Sequence, residues 1–309
     1  MTGRSVWIDG TRYTPESARV SAYDRGLLYG DSVFEALRTY LGRPFALGEH
    51  LARLWRSAEK VFIVIPIGES ELASEVARAV GEIGNEESYV RILVTRGAGP
   101  LSMDPDTAGH PTRIVFVEPL TAPAREIYVD GISVITTTVR RTVDDTAAVG
   151  AKVANYLPNI LALREAKARG AAEALVVDAR GFVVEGTTSN VFAVLGGRLV
   201  TPPVDAGILP GITRAHILRA AADLALPVVE RALLRDELYV SDEVFITSSI
   251  RELFPVVRVD GRPIAGGLPG PVGRALHRRF RESVGLGSWP MPFECPDRAP
   301  PLAGSTPGG

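Results

Sequence analysis

Apolar residues along this chain recur at two periods, and the switches between them mark out most of its elements. Near the start, Val6-Trp7-Ile8 and Thr11-Arg12-Tyr13 flank Asp9-Gly10, which predicts a hairpin closed by a tight turn. Residues 33–41 are mostly apolar and rich in strand formers, and predict a buried strand. Leu51, Leu54, Ala58 and Val61 then recur at three and four, the spacing of an amphipathic helix, here over 49–61. The same test predicts a helix over 71–83, and strands follow at 89–95 and 113–118. The run Glu118-Pro119-Leu120-Thr121-Ala122-Pro123-Ala124 has no period and reads as a linker. Beyond it, strands are predicted at 132–140, 174–178, 182–185, 191–195, 198–201, 243–247 and 255–259, and helices at 158–169, 212–224 and 272–284. Hairpins and occasional helices join these strands rather than strict alternation, so the predicted class is α+β with barrel-like sheets. No internal repeat is evident. From Trp289 onward Pro and Gly accumulate without periodicity, and a disordered tail over 289–309 is expected.

Composition narrows the class of function. A chain of 309 residues with 46% hydrophobic residues can bury a core without staples. Its net charge of −2 lacks the basic excess that a nucleic-acid or membrane-surface protein needs. The lone Cys295 excludes a disulfide framework, and His50, His110, His216 and His277 offer no short metal-ligand spacing, so no metal is expected. No segment approaches the ~20 apolar residues of a membrane span. The first residues run straight into Val6-Trp7-Ile8 without a signal-peptide core, so a cytoplasmic protein is expected. Gly97-Ala98-Gly99-Pro100-Leu101-Ser102 begins like a dinucleotide loop, but Ser102 replaces the third Gly and Pro100 sits where the helix should begin. There is no P-loop, no Gly-x-Ser-x-Gly elbow and no His-Glu-x-x-His.

Chemistry concentrates in two runs, Ala151-Lys152-Val153-Ala154-Asn155-Tyr156 and Val184-Glu185-Gly186-Thr187-Thr188-Ser189-Asn190. A lysine among small apolar residues loses ammonium stability and becomes competent to form a Schiff base. Leu209-Pro210-Gly211-Ile212-Thr213 opens a predicted helix, whose unpaired N–H groups at Ile212 and Thr213 suit a phosphate. Thr247-Ser248-Ser249 supplies hydroxyls for the same anion, and Arg53 on the first helix can pair with it bidentately. Taken singly, these are a surface lysine, a capping turn, a Ser-rich loop and a solvated arginine. A lysine, a carboxylate, an arginine and two anion cradles in one chain point together to pyridoxal phosphate.

The order of these motifs resembles the fold-type IV, class IV aminotransferases over about residues 5–285, and within them the branched-chain amino acid aminotransferases. The resemblance rests on Tyr29-Gly30-Asp31-Ser32-Val33-Phe34-Glu35, His50-Leu51-Ala52-Arg53-Leu54, the two runs above, Gly211-Ile212-Thr213-Arg214, and Asp242-Glu243-Val244-Phe245-Ile246-Thr247. It implies a two-domain α+β fold: a small N-terminal α/β sandwich-like domain (1–120), a linker (121–128) and a larger pseudo-barrel domain (129–288) that binds pyridoxal 5'-phosphate. It also implies roles. Lys152 would form the internal aldimine and shuttle the proton, and Glu185 would face the pyridine nitrogen. Arg53, the N–H groups of Ile212 and Thr213, and Ser249 would hold the phosphate. Tyr29, Tyr89, Arg91, Tyr156 and Ile250 would line the substrate pocket, with Arg91 receiving the distal carboxylate of glutamate or 2-oxoglutarate. The implied reaction is ping-pong transamination of a branched-chain L-amino acid with 2-oxoglutarate. The implied assembly is a homodimer with shared sites, or a higher oligomer.

Departures leave other members of the family open. Ala36 stands where branched-chain enzymes usually have Gly. The Val-Ala-Asn-Tyr after Lys152 is one residue shorter than their usual spacing and looks more like D-amino-acid aminotransferases and aminodeoxychorismate lyases. Against these, Pro100-Leu101-Ser102-Met103 lacks the Arg and His that D-amino-acid enzymes carry in this loop, and lyases usually carry Thr at the position of Glu35. Branched-chain transamination is the favoured reading, with D-amino-acid or R-amine transamination and the lyase reaction as alternatives.

Overall fold

The computed structural model describes residues 3–138 and 146–294, which fall into two compact units. The first holds the described residues up to Thr121 together with 146–155. Its elements are β1 (Ser5–Ile8), β2 (Thr11–Tyr13), α1 (Arg25–Tyr29), β3 (Ser32–Tyr40), β4 (Arg43–Pro44), α2 (Leu47–Lys60), α3 (Glu69–Ile83), β5 (Ser88–Thr95) and β6 (Arg113–Pro119). The six strands form one sheet in the order β2-β1-β6-β5-β3-β4, every pair antiparallel. Alternation along the strands sends Val33 and Leu37, Val90 and Ile92, and Val115 and Val117 into a core shared with Leu51 and Leu54 of α2 and Leu72 and Val76 of α3. The opposite face of the sheet carries Phe34 and Ala36 beside Leu93 and Arg91, their partners in the β3–β5 register.

The second unit holds residues 122–138 and 156–294. It comprises α4 (Arg125–Asp130), β7 (Ile132–Thr137), α5 (Leu157–Ala168), β8 (Glu173–Val177), β9 (Phe182–Gly186), β10 (Asn190–Leu195), β11 (Arg198–Thr201), α6 (Ile212–Asp223), β12 (Val228–Glu230), β13 (Leu233–Leu234), α7 (Arg235–Tyr239), β14 (Glu243–Ser248), β15 (Glu252–Val259), β16 (Arg262–Pro263) and α8 (Pro271–Ser283). Its ten strands make a curled mixed sheet whose main path is β12-β11-β10-β14-β15-β7-β8-β9-β13. The core is built from Val134, Leu175, Val191, Ala193, Val244, Ile246 and Val256 along the strands, with Tyr128 and Leu238 from the helices. Both units combine antiparallel or mixed sheet with helices, so the predicted α+β class holds.

Three expectations about organisation need correction. Residues 146–155 fall in the first unit, not in a single C-terminal domain over 129–288. The backbone explains why: Phe34 N–H donates to the Lys152 carbonyl at 3.0 Å, Ala154 N–H donates to the Ser32 carbonyl at 3.1 Å, and Val153 bridges Val33. The expected linker over 121–128 contains the start of α4, which ends the extended run by burying Tyr128 edge-on against Phe254. The expected disordered tail begins with structure, since Met291 is buried and Phe293 packs on the second core. Residues 295–309, including Cys295, and the last residues of the strand predicted over 132–140 lie outside the described residues.

Candidate active site

Lys152 is fixed through its backbone. Its carbonyl is taken by β3 as above, and its N–H donates to Ser57 Oγ of α2 at 3.0 Å. Its Nζ lies 4.6 Å from the centroid of the Phe34 ring. The Arg91 guanidinium lies 4.1 Å from the same centroid. Arg91 is therefore not the solvated strand charge that β5 alone would suggest, because the aromatic quadrupole holds both cations beside one ring. Tyr89 shares the Arg91 face two residues along β5, directly opposite Arg38. Tyr29 is the last residue of α1, with the Arg25 guanidinium 5.1 Å from its ring. Gly30 then caps α1 in the left-handed region at φ 68°, and a Cβ there would stand 1.7 Å from Asn155 Oδ1. Only glycine lets the end of α1 approach the Lys152 segment so closely.

Arg53 lies beneath β3. Helical spacing puts His50, Arg53 and Ser57 on the α2 face turned toward the sheet, and strand alternation puts Glu35 on the sheet face turned toward α2. Arg53 Nε and Nη2 donate to the two oxygens of Glu35 at 2.7 Å each, and His50 Nδ1 meets Glu35 Oε2 at 2.7 Å. All three residues are buried. Burial alone would raise the Glu35 carboxyl; the charge of Arg53 and the hydrogen bonds from Arg53 and His50 outweigh it and bring the carboxyl from 4.5 down to about 2. Burial pushes the His50 imidazole down, and the charges of Arg53 and Lys152 add to this against the pull of Glu35. A neutral ring donating Nδ1–H to an ionised Glu35 satisfies both directions.

The second unit gathers a complementary set. Glu185, near the end of β9, accepts through Oε2 from Leu209 N–H at 2.9 Å and from Asn190 Nδ2 at 3.3 Å. Leu209-Pro210-Gly211 leads into α6, whose N-cap Gly211 offers no side-chain oxygen, so the first N–H groups at Ile212 and Thr213 have no side-chain cap. The hydroxyls of Thr213 and Thr247 are both buried, and neither has a hydrogen-bond partner among the described residues. Buried hydroxyls of this kind call for an acceptor, and a helix N-terminus favours an anion. This donor set fits a phosphate, and the carboxylate of Glu185 fits a protonated ring nitrogen, so the residues present suit pyridoxal phosphate.

Beyond β14, Ser249, Ile250 and Arg251 form a turn in which Arg251 N–H donates back to Ser248 Oγ at the end of the strand, at 3.3 Å. Arg251 Nη1 reaches Glu173 Oε2 at 2.5 Å, and the buried Glu173 also accepts from Thr187 N–H at 3.2 Å and from the Thr187 hydroxyl. Glu173 thus ties the loop after Glu185 to the turn that carries Ser249 and Ile250. Tyr156 caps the start of α5 and is half-buried.

The structure therefore brings Lys152 and Arg91 together in the first unit, and Glu185, Ile212 and Thr213 together in the second. Sequence reasoning missed the sharing of Phe34 by Lys152 and Arg91, the Glu35–Arg53 pair and the Glu173 tie. Of these, only Glu35 gave a signal: an acidic residue between Val33-Phe34 and Ala36-Leu37 in a predicted buried strand, ahead of a predicted helix with His and Arg three apart.

Residues 32–259 match the family model for amino-transferase class IV. A Methanocaldococcus jannaschii protein described provisionally as a branched-chain-amino-acid aminotransferase is 39% identical over 277 residues, covering 90% of this chain and 95% of its own. The D-alanine aminotransferase of Bacillus licheniformis is 33% identical, covering 90% of this chain and 96% of its own. Among solved structures, the Escherichia coli branched-chain amino acid aminotransferase superposes with a TM-score of 0.85 at 31% identity, covering 91% of this chain and 94% of that one. The T.th. branched-chain amino acid aminotransferase with pyridoxamine 5'-phosphate superposes with a TM-score of 0.86 at 34% identity, covering 92% of this chain and 94% of that one. The chain belongs to the class IV aminotransferases.

Proposed function

We propose that this enzyme moves the amino group of a branched-chain L-amino acid to 2-oxoglutarate in a ping-pong cycle, as a cytoplasmic homodimer with pyridoxal 5'-phosphate as cofactor. The observation that supports the reading is the sharing of the Phe34 ring by Lys152 and Arg91. An amine that exchanges protons lies beside a guanidinium suited to a second carboxylate, which glutamate and 2-oxoglutarate have and leucine lacks. Several relatives named as branched-chain aminotransferases support the same choice of donor.

When bound, pyridoxal phosphate supplies an electron-withdrawing ring that holds the electron pair released at the substrate α-carbon. Lys152 Nζ takes the proton from that carbon as general base and later returns it as general acid. Glu185 holds a proton on the ring nitrogen by charge attraction. The N–H groups of Ile212 and Thr213, the Thr213 hydroxyl, Ser249 and Arg53 are proposed to bind the phosphate, far from the reacting carbon. Tyr29, Tyr89, Arg91, Tyr156 and Ile250 are proposed to line the substrate pocket. The exposed Leu27, Leu28, Leu101 and Met103 of the first unit support burial against a second subunit.

The test is a substrate panel. Purified enzyme is mixed separately with L-leucine, L-glutamate, D-alanine, an R-amine and aminodeoxychorismate while the cofactor spectrum is followed. L-leucine and L-glutamate should both convert the cofactor to its amino form. Conversion by D-alanine alone would replace this reading with D-amino-acid transamination, the activity named for the Bacillus licheniformis relative. Release of pyruvate from aminodeoxychorismate without an amino acceptor would replace it with the lyase reaction.

A further inference from the structure

Asn190 stands where β9, β10, β14 and the turn before α6 meet. It opens β10, and its backbone is paired in register with Thr247 of β14. Its side-chain Nδ2 donates to Glu185 Oε2 at 3.3 Å and to the Leu209 carbonyl at 3.0 Å. Leu209 in turn donates its N–H to the same Glu185 oxygen at 2.9 Å. On the other side of the amide, a Cβ at Gly211 would stand 1.8 Å from Asn190 Oδ1, so the amide oxygen packs directly against the residue that caps α6. One buried carboxamide thus contacts the carboxylate of Glu185, the turn that presents the N-terminus of α6, and the N-cap itself.

We propose that Asn190 is a positioning residue that sets the spacing between Glu185 and the N-terminus of α6, and so the fit of a ligand anchored at both. The inference rests on the reading that these two groups take the nitrogen and phosphate ends of one cofactor. A two-ended rigid ligand gains from both contacts only when their separation is fixed beforehand; otherwise binding has to order them. An amide suits the task better than a hydroxyl or a carboxylate. A single NH₂ group serves two acceptors, Glu185 and the Leu209 carbonyl, and adds no charge beside a carboxylate that must stay ionised. The same contact accounts for Gly211, since any side chain there would displace the amide.

The experiment compares two probes on the full chain after the cofactor has been stripped. Pyridoxal phosphate uses both ends, whereas inorganic phosphate uses only α6 and the hydroxyls near it. Asn190→Ala is expected to weaken pyridoxal phosphate about tenfold or more, the worth of one hydrogen bond to a charged group. Inorganic phosphate should change by less than about twofold, because its own contacts are untouched. Asn190→Leu keeps the volume and removes the donor without adding charge, so it should reproduce the same split if the alanine variant fails to fold. Equal weakening of both probes would mean a merely structural role and would overturn the proposal, as would unchanged affinity for pyridoxal phosphate. Wild-type protein that binds inorganic phosphate but not pyridoxal phosphate would overturn the cofactor reading itself, and this inference with it.

Discussion

Arg53 gives two of its nitrogens, Nε and Nη2, to the two oxygens of a fully buried Glu35, each at 2.7 Å. A bidentate pair of this kind is oriented in a plane and cannot rotate without breaking both bonds. Removing either partner leaves a buried charge uncompensated, which costs about 3–5 kcal/mol. Glu35→Ala should therefore lower the unfolding free energy by that amount in urea titrations. The double change Glu35→Leu with Arg53→Met should cost much less than the sum of the single changes. Additive losses would show that the two residues do not act as a pair.

The same carboxylate makes the protein acid-sensitive. Glu35 is held down from 4.5 to about 2 in the folded chain, so its stabilisation is fully present above about pH 4.5 and is lost as pH falls through about 2. The shift corresponds to about 3 kcal/mol. His50 acts in the same direction: its folded imidazole is pushed below the ordinary 6.5, so charging it in acid favours the unfolded chain. Thermal midpoints should fall steadily from pH 6 to pH 3. In Glu35→Gln the part of that fall below about pH 4.5 should shrink, the remainder coming from other paired carboxylates such as Asp31 beside Arg96 and Arg25.

Lys152→Ala should reduce kcat by about 10⁴-fold or more, as expected when the residue that transfers the proton is lost. The fold should survive, because the bonds that fix position 152 to Phe34 and Ser57 are made by its backbone. Far-UV circular dichroism and melting of the variant should match the parent within a few degrees. Near-normal turnover would remove Lys152 from the mechanism.

Arg91→Gln separates the two substrates. Leucine has no second carboxylate, so its KM should change little. The KM for glutamate and 2-oxoglutarate should rise about 10–100-fold on losing one charge-assisted pair. Phe34→Leu removes the ring that both cations share and should raise the KM for both substrates, with a smaller effect on stability. Equal changes for leucine and glutamate in Arg91→Gln would place Arg91 outside the pocket.

Gly30→Ala should destabilise by about 1–3 kcal/mol, combining left-handed backbone strain with a Cβ forced against Asn155 Oδ1. In an Asn155→Ala background the added cost should shrink to the backbone part alone, about 1 kcal/mol. Differential scanning calorimetry of the four proteins measures the coupling directly.

The long elements were legible because their periods are clean. The α2 pattern of Leu51, Leu54 and Ala58 and the apolar run of β3 appear where periodicity puts them, within two residues at each end. The five residues of α1 are too few to show a helical period, although Asp24 before them and Gly30 after them are ordinary cap residues. The motif order pointed to Lys152, Glu185 and the turn before α6 as candidates, since these stand as short runs. The partners that orient them were not legible. Asn190 reads only as the first residue of a strand, and its reach to Leu209 depends on a turn nineteen residues further on. Glu35 and Arg53 come together only because a strand face and a helix face are opposed, a fact of packing that neither segment carries alone.

The return of residues 146–155 to the first unit bears on how the protein is made and how it can be cut. A polypeptide emerging in order has β1 to β6 available once residue 119 has appeared, but β3 then still lacks the segment whose carbonyl and N–H groups bond to Phe34 and Ser32. The first unit is completed only about 35 residues later in synthesis, after β7 of the second has emerged. A gene fragment ending at Thr121 would encode a sheet with an unfinished edge and no Lys152. Exchange of the first unit between relatives has to carry two pieces of coding sequence, and the shorter of them brings Lys152.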